Sequence, residues 1–403
     1  MDSIDSSEMR YINSNIVLKI LWTKREISRS EIARITGMSR STISAIINDI
    51  MEIGLLNELG SSGAKNGRRP VTLQFKDGAY SILGLDIGRD RIHLIVSDLR
   101  GNELSRQTCV CDIILEKEKA SDWIFDSIQN EKQMADKQSR PLLGIGLAFP
   151  IPIALANSRR DLNLDLLPGW DTLAFREAIH RKFLLPVFIE NDMKLGALAE
   201  LRWGRGKSGS ANIAVIKLSQ PPEAGLIIDG KIHQGARGFA GQIANVILSP
   251  ESLESAKAGA FTLRDWATHM NDPNALPASR EEYCFLLASS LSNMLALLDL
   301  DEVVFIMNMG ERDDWVLGQL RMYMSRLSVY QCEVNLSVSS LGETQMALGA
   351  ATMVLESVLN DLSLFPRPAK TIPPKPVHLG GHFSASIPHA AKPTSVRPRS
   401  PGG

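Results

Sequence analysis

The run I-S-R-S-E-I-A-R-I-T-G-M-S-R-S-T, from Ile27 through Thr42, holds two helix starts and one stop within sixteen positions. Ser28 can cap a helix while Glu31, three residues on, reaches back to it, and Ile27 and Ile32 flank that pair as a hydrophobic staple. The helix continues through Ile32, Ala33 and Ile35 to Gly37, which can adopt the left-handed conformation that a sharp stop requires. Ser39 then opens a further helix. Along it Ile43, Ile46, Ile47 and Ile50 form an inward stripe, leaving Arg40, Ser41, Thr42, Ser44 and Asn48 on or near the outer side. Two short helices, a tight glycine turn and a polar first turn on the second helix predict a helix-turn-helix that presents base-reading side chains.

The neighbouring segments extend this head. Upstream, Ile12, Ile16, Val17, Ile20 and Leu21 follow helical spacing and predict an amphipathic helix with that stripe buried. Downstream, residues 55–59 and 71–75 are β-compatible, and residues 60–70 between them carry Lys65, Gly67, Arg68, Arg69 and Pro70. This predicts a hairpin wing whose two guanidinium groups enter a narrow minor groove, where negative potential is concentrated. The expected DNA-contacting set is Ser39, Arg40, Ser41, Thr42, Ser44, Asn48, Lys65, Arg68 and Arg69. The competing reading is a three-helix protein-interaction module with a charged loop.

Charge distribution supports a local rather than a global affinity for nucleic acid. The 403 residues carry 44 Lys and Arg against 45 Asp and Glu, a net charge of −1. Residues 19–69 have a surplus of +4 and residues 366–403 of +6, which leaves −11 for the remainder. The last segment holds nine Pro, six Lys or Arg and no acid, and is expected to be a disordered basic tail. His378 and His382 within it stand four apart but lack any other ligand type, so a metal site is not expected. The four Cys include no C-x-x-C pair, which fits a reducing compartment, and apolar runs fall short of the roughly 20 residues that span a bilayer. A soluble, cytoplasmic protein is expected. Cys109 and Cys111, alternating on a predicted strand, are expected to be packing residues.

Beyond residue 80 the pattern alternates between strand and helix, which predicts an α/β fold. Apolar strands are expected at residues 81–87, 142–149, 187–190, 213–218 and 226–228, with helices at 120–135 and 192–203 and helix–strand–helix segments beyond 281. Asp229-Gly230 between Ile228 and Lys231 is a type I′ hairpin signal.

The head segment 27–42 and Gly67-Arg68-Arg69-Pro70 resemble the DNA-binding head of the ROK family (repressors, open reading frames, kinases). Residues 84–88, 166–170, 186–200, 225–241 and 341–351 are similar to that family's body. The resemblance implies an N-terminal winged helix-turn-helix followed by a two-lobed actin-like (ribonuclease H-like) ATPase/sugar-kinase fold. It divides the chain into a winged head (1–76), a first lobe (80–185), a second lobe (186–365) whose last helix returns to the first, and the tail (366–403). A sugar would sit in the cleft between the lobes, with Asp192 at the place of the family's catalytic base and Asn191 at that of a sugar-hydroxyl ligand. Read locally, Asn191-Asp192 is also simply a helix cap.

Departures from the family pattern argue against phosphoryl transfer, which needs a base and phosphate-holding N–H groups. Arg89 and Asp90 stand where the kinases carry Gly-Thr, and the second phosphate loop reads Lys217-Leu218-Ser219-Gln220-Pro221-Pro222-Glu223, with two prolines that lack N–H donors. Gln242 and Asn245 replace a carboxylate and a histidine that binds sugar and structural zinc in the family, so neither zinc nor any other cofactor is expected. The candidate ligand residues are Asn191, Asp192, Gln242 and Asn245, with no catalytic residue. The expected function is a sequence-specific transcription regulator, a repressor of carbohydrate-related genes, that binds a roughly palindromic operator as a homodimer or homotetramer and senses a carbohydrate effector. The alternatives are a ligand-blind dimeric regulator whose body binds a protein partner, and an active carbohydrate kinase.

Overall fold

The computed structural model describes residues 6–59, 71–153, 167–218, 222–246, 263, 277–307, 312–327 and 335–366. The wing residues Lys65, Arg68 and Arg69, and the tail from residue 367 with His378 and His382, lie outside the described residues.

The head consists of α1 (Ser6–Lys24), β1 (Glu26–Ser28), α2 (Arg29–Thr36), α3 (Arg40–Glu52), β2 (Leu56–Leu59) and β3 (Thr72–Phe75). Its three strands form an antiparallel sheet in the order β1-β3-β2. The local signals act as their chemistry requires. The Ser28 hydroxyl accepts from the Glu31 N–H while the Glu31 carboxylate accepts from the Ser28 N–H at 3.0 Å, and Gly37 ends α2 at φ 72°. Ile27 and Ile32 are both buried.

The inward face of α1 differs from the expectation. Val17, Leu18 and Leu21 are fully buried, whereas Ile12 and Ile16 are 39% and 42% exposed and Ser14 and Asn15 are buried in their place. The cause is tertiary. Helix α1 packs not only on its own head but on the far end of the chain, and the Asn15 side-chain oxygen accepts from the Leu362 N–H at 2.9 Å.

The body holds two five-stranded sheets of one topology. The first contains β4 (Ser81–Ile87), β5 (Arg91–Ser97), β6 (Glu103–Val110), β7 (Leu142–Phe149) and β8 (Val187–Asn191), ordered β6-β5-β4-β7-β8. The second contains β9 (Ile213–Lys217), β10 (Glu223–Ile228), β11 (Lys231–Ile232), β12 (Glu302–Ile306) and β13 (Asn335–Val338), ordered β11-β10-β9-β12-β13. In each sheet the first three strands form an antiparallel meander and the last two join in parallel, so the sheets repeat a single plan. The Asp229-Gly230 turn has both residues at positive φ, 51° and 70°, as a type I′ hairpin demands. Because β8 is an edge strand of the first sheet, the first lobe runs on to Asn191 rather than ending at residue 185, and the expected boundary is corrected accordingly.

Outer helices cover both sheets: α4 (Lys117–Lys137) and α5 (Thr172–Phe183) on the first, α7 (Pro277–Leu298) and α8 (Arg312–Leu327) on the second. Between the sheets lie α6 (Asp192–Trp203) and α9 (Gln345–Asn360), packed against each other. Their approach is close enough to need glycine. A Cβ at Gly84 of β4 would lie 2.0 Å from the Ala347 carbonyl oxygen, and one at Gly349 of α9 only 1.9 Å from that of Leu195 in α6. Helix α9 also reaches the head: Val354, Val358, Leu359, Leu362 and Phe365 share one buried cluster with Val17, Leu18, Leu21 and the α3 isoleucines. Trp22 donates its indole N–H to the Leu99 carbonyl at 2.8 Å, and the Arg100 guanidinium lies 4.8 Å over the Trp22 ring while bonding Asp77. Head and body are thus joined through a common core.

Candidate functional site

The outer face of α3 is built by its own cap and stripe. With Ile43, Ile46, Ile47 and Ile50 turned inward, Arg40, Ser41, Ala45 and Asn48 are exposed and Thr42 and Ser44 are half-buried. The Ser39 hydroxyl accepts from the Thr42 N–H at 3.1 Å and lies 2.8 Å from both the Ser41 and Thr42 hydroxyls, so Ser39 serves first as the helix cap. Ala45 was not among the expected contacts. It stands four residues after Ser41 and three before Asn48, and that spacing could have revealed it. A methyl group between two short polar side chains can meet a thymine methyl, while Asn48 can pair with adenine and Arg40 with guanine or phosphate. Two ion pairs join elements of the head around α3, Arg10–Asp49 and Arg29–Glu58, each at 2.7 Å.

A second feature lies between the two sheets, where their parallel strands end: a cleft of about 820 Å³. Asp192, Gln242 and Asn245 line it, as the sequence suggested. Asn191 does not. It is buried and caps α6, accepting from the Lys194 N–H at 3.2 Å and donating to the Asp192 carboxylate at 3.1 Å and to the Ile151 carbonyl at 3.3 Å. The cap reading therefore describes its position, and its service to the cleft is to hold the Asp192 carboxylate in place.

Sequence reasoning missed the charged groups around Asp192. Asp86 at the end of β4, Lys217 at the end of β9, Glu223 opening β10 and Glu343 before α9 all face the same space. Burial pushes the Asp86 carboxyl up to about 7, with Lys217 opposing and Asp192 and Asp90 reinforcing the rise. Burial likewise raises Asp192, again against Lys217. For Lys217, burial works against the charge, yet Asp192, Asp86, Glu223 and Asp90 together outweigh it and hold its pKa above the usual lysine value.

The loop carrying Gln242 is anchored from beneath. Fully buried Lys194 donates to the Gln234 side-chain oxygen at 2.7 Å and to the Gly238 carbonyl at 2.9 Å, and Gln234 in turn donates to Glu190 at 2.7 Å. Burial pushes the Lys194 ammonium down and Glu190, 3.6 Å away, pushes it back up. Nothing in local sequence marks Lys194 as buried; only the fold of residues 233–241 over α6 decides it.

The β4–β5 turn brings charges of both signs, Arg89, Asp90 and Arg91, to the cleft. In that turn the Asp90 carboxylate accepts from Arg91 at 3.1 Å, and Glu343 lines the same cleft. Pro222 lies buried beside Glu223 and offers no N–H. His93, whose Nδ1 lies 3.0 Å from the Thr108 hydroxyl, is held below its ordinary pKa mainly by burial and so is neutral near pH 7.

Comparison with known proteins adds the following. The ROK family model matches residues 82–260. A xylose repressor of Bacillus subtilis is 27% identical over 395 residues, covering 90% of this chain and all of that protein. A xylose repressor of Caldicellulosiruptor bescii is 31% identical over 241 residues, 60% of either chain. Among solved structures, a ROK family transcriptional regulator described as a homologue of the Escherichia coli Mlc protein superposes with a TM-score of 0.69 at 18% identity, covering 87% of this chain and 97% of that one. No helix among the described residues is long and apolar enough to cross a membrane.

Proposed function

This chain belongs to the ROK family, and from that premise we propose that it is a DNA-binding transcription repressor of carbohydrate-related genes, whose kinase-like body senses a sugar and does not phosphorylate it. One observation carries the reading: helix α9 begins in the cleft and ends in the core of the head. Gln345 and Met346 line the cleft, while Val358 and Leu359 pack with Val17, Leu18 and Leu21 of α1. Over its sixteen residues α9 spans about 24 Å at roughly 1.5 Å per residue. A sugar that prefers one arrangement of the lobes would shift α9, and with it α1 and the α3 face, by its differential affinity for the two arrangements.

Operator reading falls to Arg40, Ser41, Ala45 and Asn48 on α3, with Arg68 and Arg69 in the flanking minor groove. Two heads on one operator require a dimer or a tetramer, with half-sites about 34 Å or a multiple of it apart. Polyol binding falls to Asp192, Gln242 and Asn245, and relatives named for xylose make D-xylose the first sugar to test. The loss of the glycine-rich phosphate loops supports the non-catalytic assignment, because Arg89-Asp90 and the prolines Pro221 and Pro222 leave fewer backbone N–H groups to hold a nucleotide's phosphates.

The test is fluorescence anisotropy with fragments selected from the source genome, with and without a panel of pentoses, hexoses and amino sugars. Nanomolar, salt-dependent binding that one sugar weakens at least about tenfold is the expected result. Binding that no sugar alters would favour the ligand-blind reading, for which the changed Gln242/Asn245 pair is the motivating feature. Absence of DNA binding would overturn the proposal.

A further inference from the structure

Because the two body sheets repeat one plan, their first strands, β4 and β9, occupy equivalent places and both end at the cleft. One carries a carboxylate at its penultimate position, Asp86, and the other an ammonium at its last, Lys217. Lys217 is fixed by the ladder on both sides, opposite Glu223 of β10 and Ile306 of β12. Residues directly opposite on neighbouring strands share a face, so Lys217 and Glu223 enter the cleft side by side. Asp192 comes from the first turn of α6, where the Met193 N–H holds one oxygen at 2.7 Å.

The charges lining this cleft are five carboxylates (Asp86, Asp90, Asp192, Glu223, Glu343) and three cations (Arg89, Arg91, Lys217). Of the cations, Arg91 is committed to Asp90 at 3.1 Å with both residues well exposed, and Arg89 is exposed and acts on Asp192 less strongly than Lys217 does. Asp86 and Asp192 are 7% and 3% exposed, and two carboxyls so buried beside one space can lose their protons only with a cation at hand.

We propose that Lys217 is the resident cation of the cleft: an ammonium delivered by the second lobe that offsets the charge of Asp86 and Asp192, keeps divalent ions out, and leaves the cleft to uncharged polyols. The polyol part rests on the sensing role proposed above, whereas the exclusion of metal does not. Electrostatics agrees with the placement, since Asp192 and then Asp86 are the strongest influences on Lys217 after its burial. The arrangement also ties the lobes together, because the cation belongs to the second sheet and Asp86 to the first.

The experiment measures Mn²⁺ binding to the full chain by loss of the free-ion electron paramagnetic resonance signal. Wild type and Lys217→Arg should show no saturable cleft site at millimolar Mn²⁺. Lys217→Met should gain a site about a hundredfold tighter, as expected when one charge a few ångströms away is removed, and Lys217→Met/Asp86→Asn should lose it. A second measurement uses wild type alone: acylation of lysines followed by mass spectrometry, in which Lys217 should react at least about tenfold more slowly than exposed Lys24, being partly covered and held in its charged form by the acids around it. A folded Lys217→Met that gains no site, or a wild type that binds Mn²⁺ as tightly, overturns the proposal. So does a Lys217 that is acylated as fast as Lys24, which decides the matter if Lys217→Met does not fold. Failure of every sugar to bind would leave the metal result standing and would count against the sensing role alone.

Discussion

Replacing Leu18 by alanine tests the join between head and body. Leu18 is fully buried in the cluster that contains the α3 isoleucines, Val358, Leu359 and Leu362, so its loss leaves a cavity walled from both sides. A buried Leu→Ala change costs about 2.7–5 kcal/mol. Large domains shift by roughly 2–4 °C per kcal/mol, so the melting temperature should fall by about 5–20 °C. Ile16, two positions earlier on the same helix, is 42% exposed, and Ile16→Ala should stay within about 0.5 kcal/mol. Differential scanning calorimetry and urea titration on the full chain would compare the two. Since one core runs through head and body, Leu18→Ala should move the transition of the first lobe and not a separate small transition of the head. The reasoning fails if Ile16→Ala costs as much as Leu18→Ala, or if the head melts early while the body is unmoved.

Arg40→Ala should weaken specific operator binding by about 1–3 kcal/mol, and Arg68→Ala or Arg69→Ala should also flatten the salt dependence, measured by anisotropy at several ionic strengths. Gly349→Ala would place a Cβ 1.9 Å from the Leu195 carbonyl oxygen, so α6 and α9 must part; a loss of at least about 1–3 kcal/mol in urea unfolding is expected. Asp86 binds its proton up to about pH 7 when folded but only to its ordinary value when unfolded. Its contribution is therefore fully present at acid pH below both values and is lost as pH rises towards 7, by up to roughly 4 kcal/mol at about 1.4 kcal/mol per pH unit. Asp86→Asn should flatten the stability profile between about pH 4 and 7; an unchanged slope would contradict the placement of Asp86. Finally, incubation with ATP, Mg²⁺ and a sugar panel should yield no sugar phosphate, and turnover would reverse the non-catalytic assignment.

What the chain settled locally concerns contacts a few residues apart. The Ser28–Glu31 capping box, the left-handed Gly37, the Ser39 cap, the isoleucine stripe of α3 and the Asp229-Gly230 turn each involve neighbours in sequence, and each is present as read. Strands such as β4 and β7 were equally legible, because a strand covered on both faces must be apolar throughout. The buried face of α1 was not legible, because its partner, Leu362, lies 347 residues away and one polar side chain, Asn15, is drawn inward to satisfy that backbone. Nor was the charge of the cleft. Asp86, Lys217 and Glu223 sit on strands of two sheets, and their meeting depends on how a repeated fold closes on itself. Sequence determined the elements and the outer face of α3; tertiary structure alone decided which charges would share a low-dielectric space, since that depends on distances no local pattern encodes.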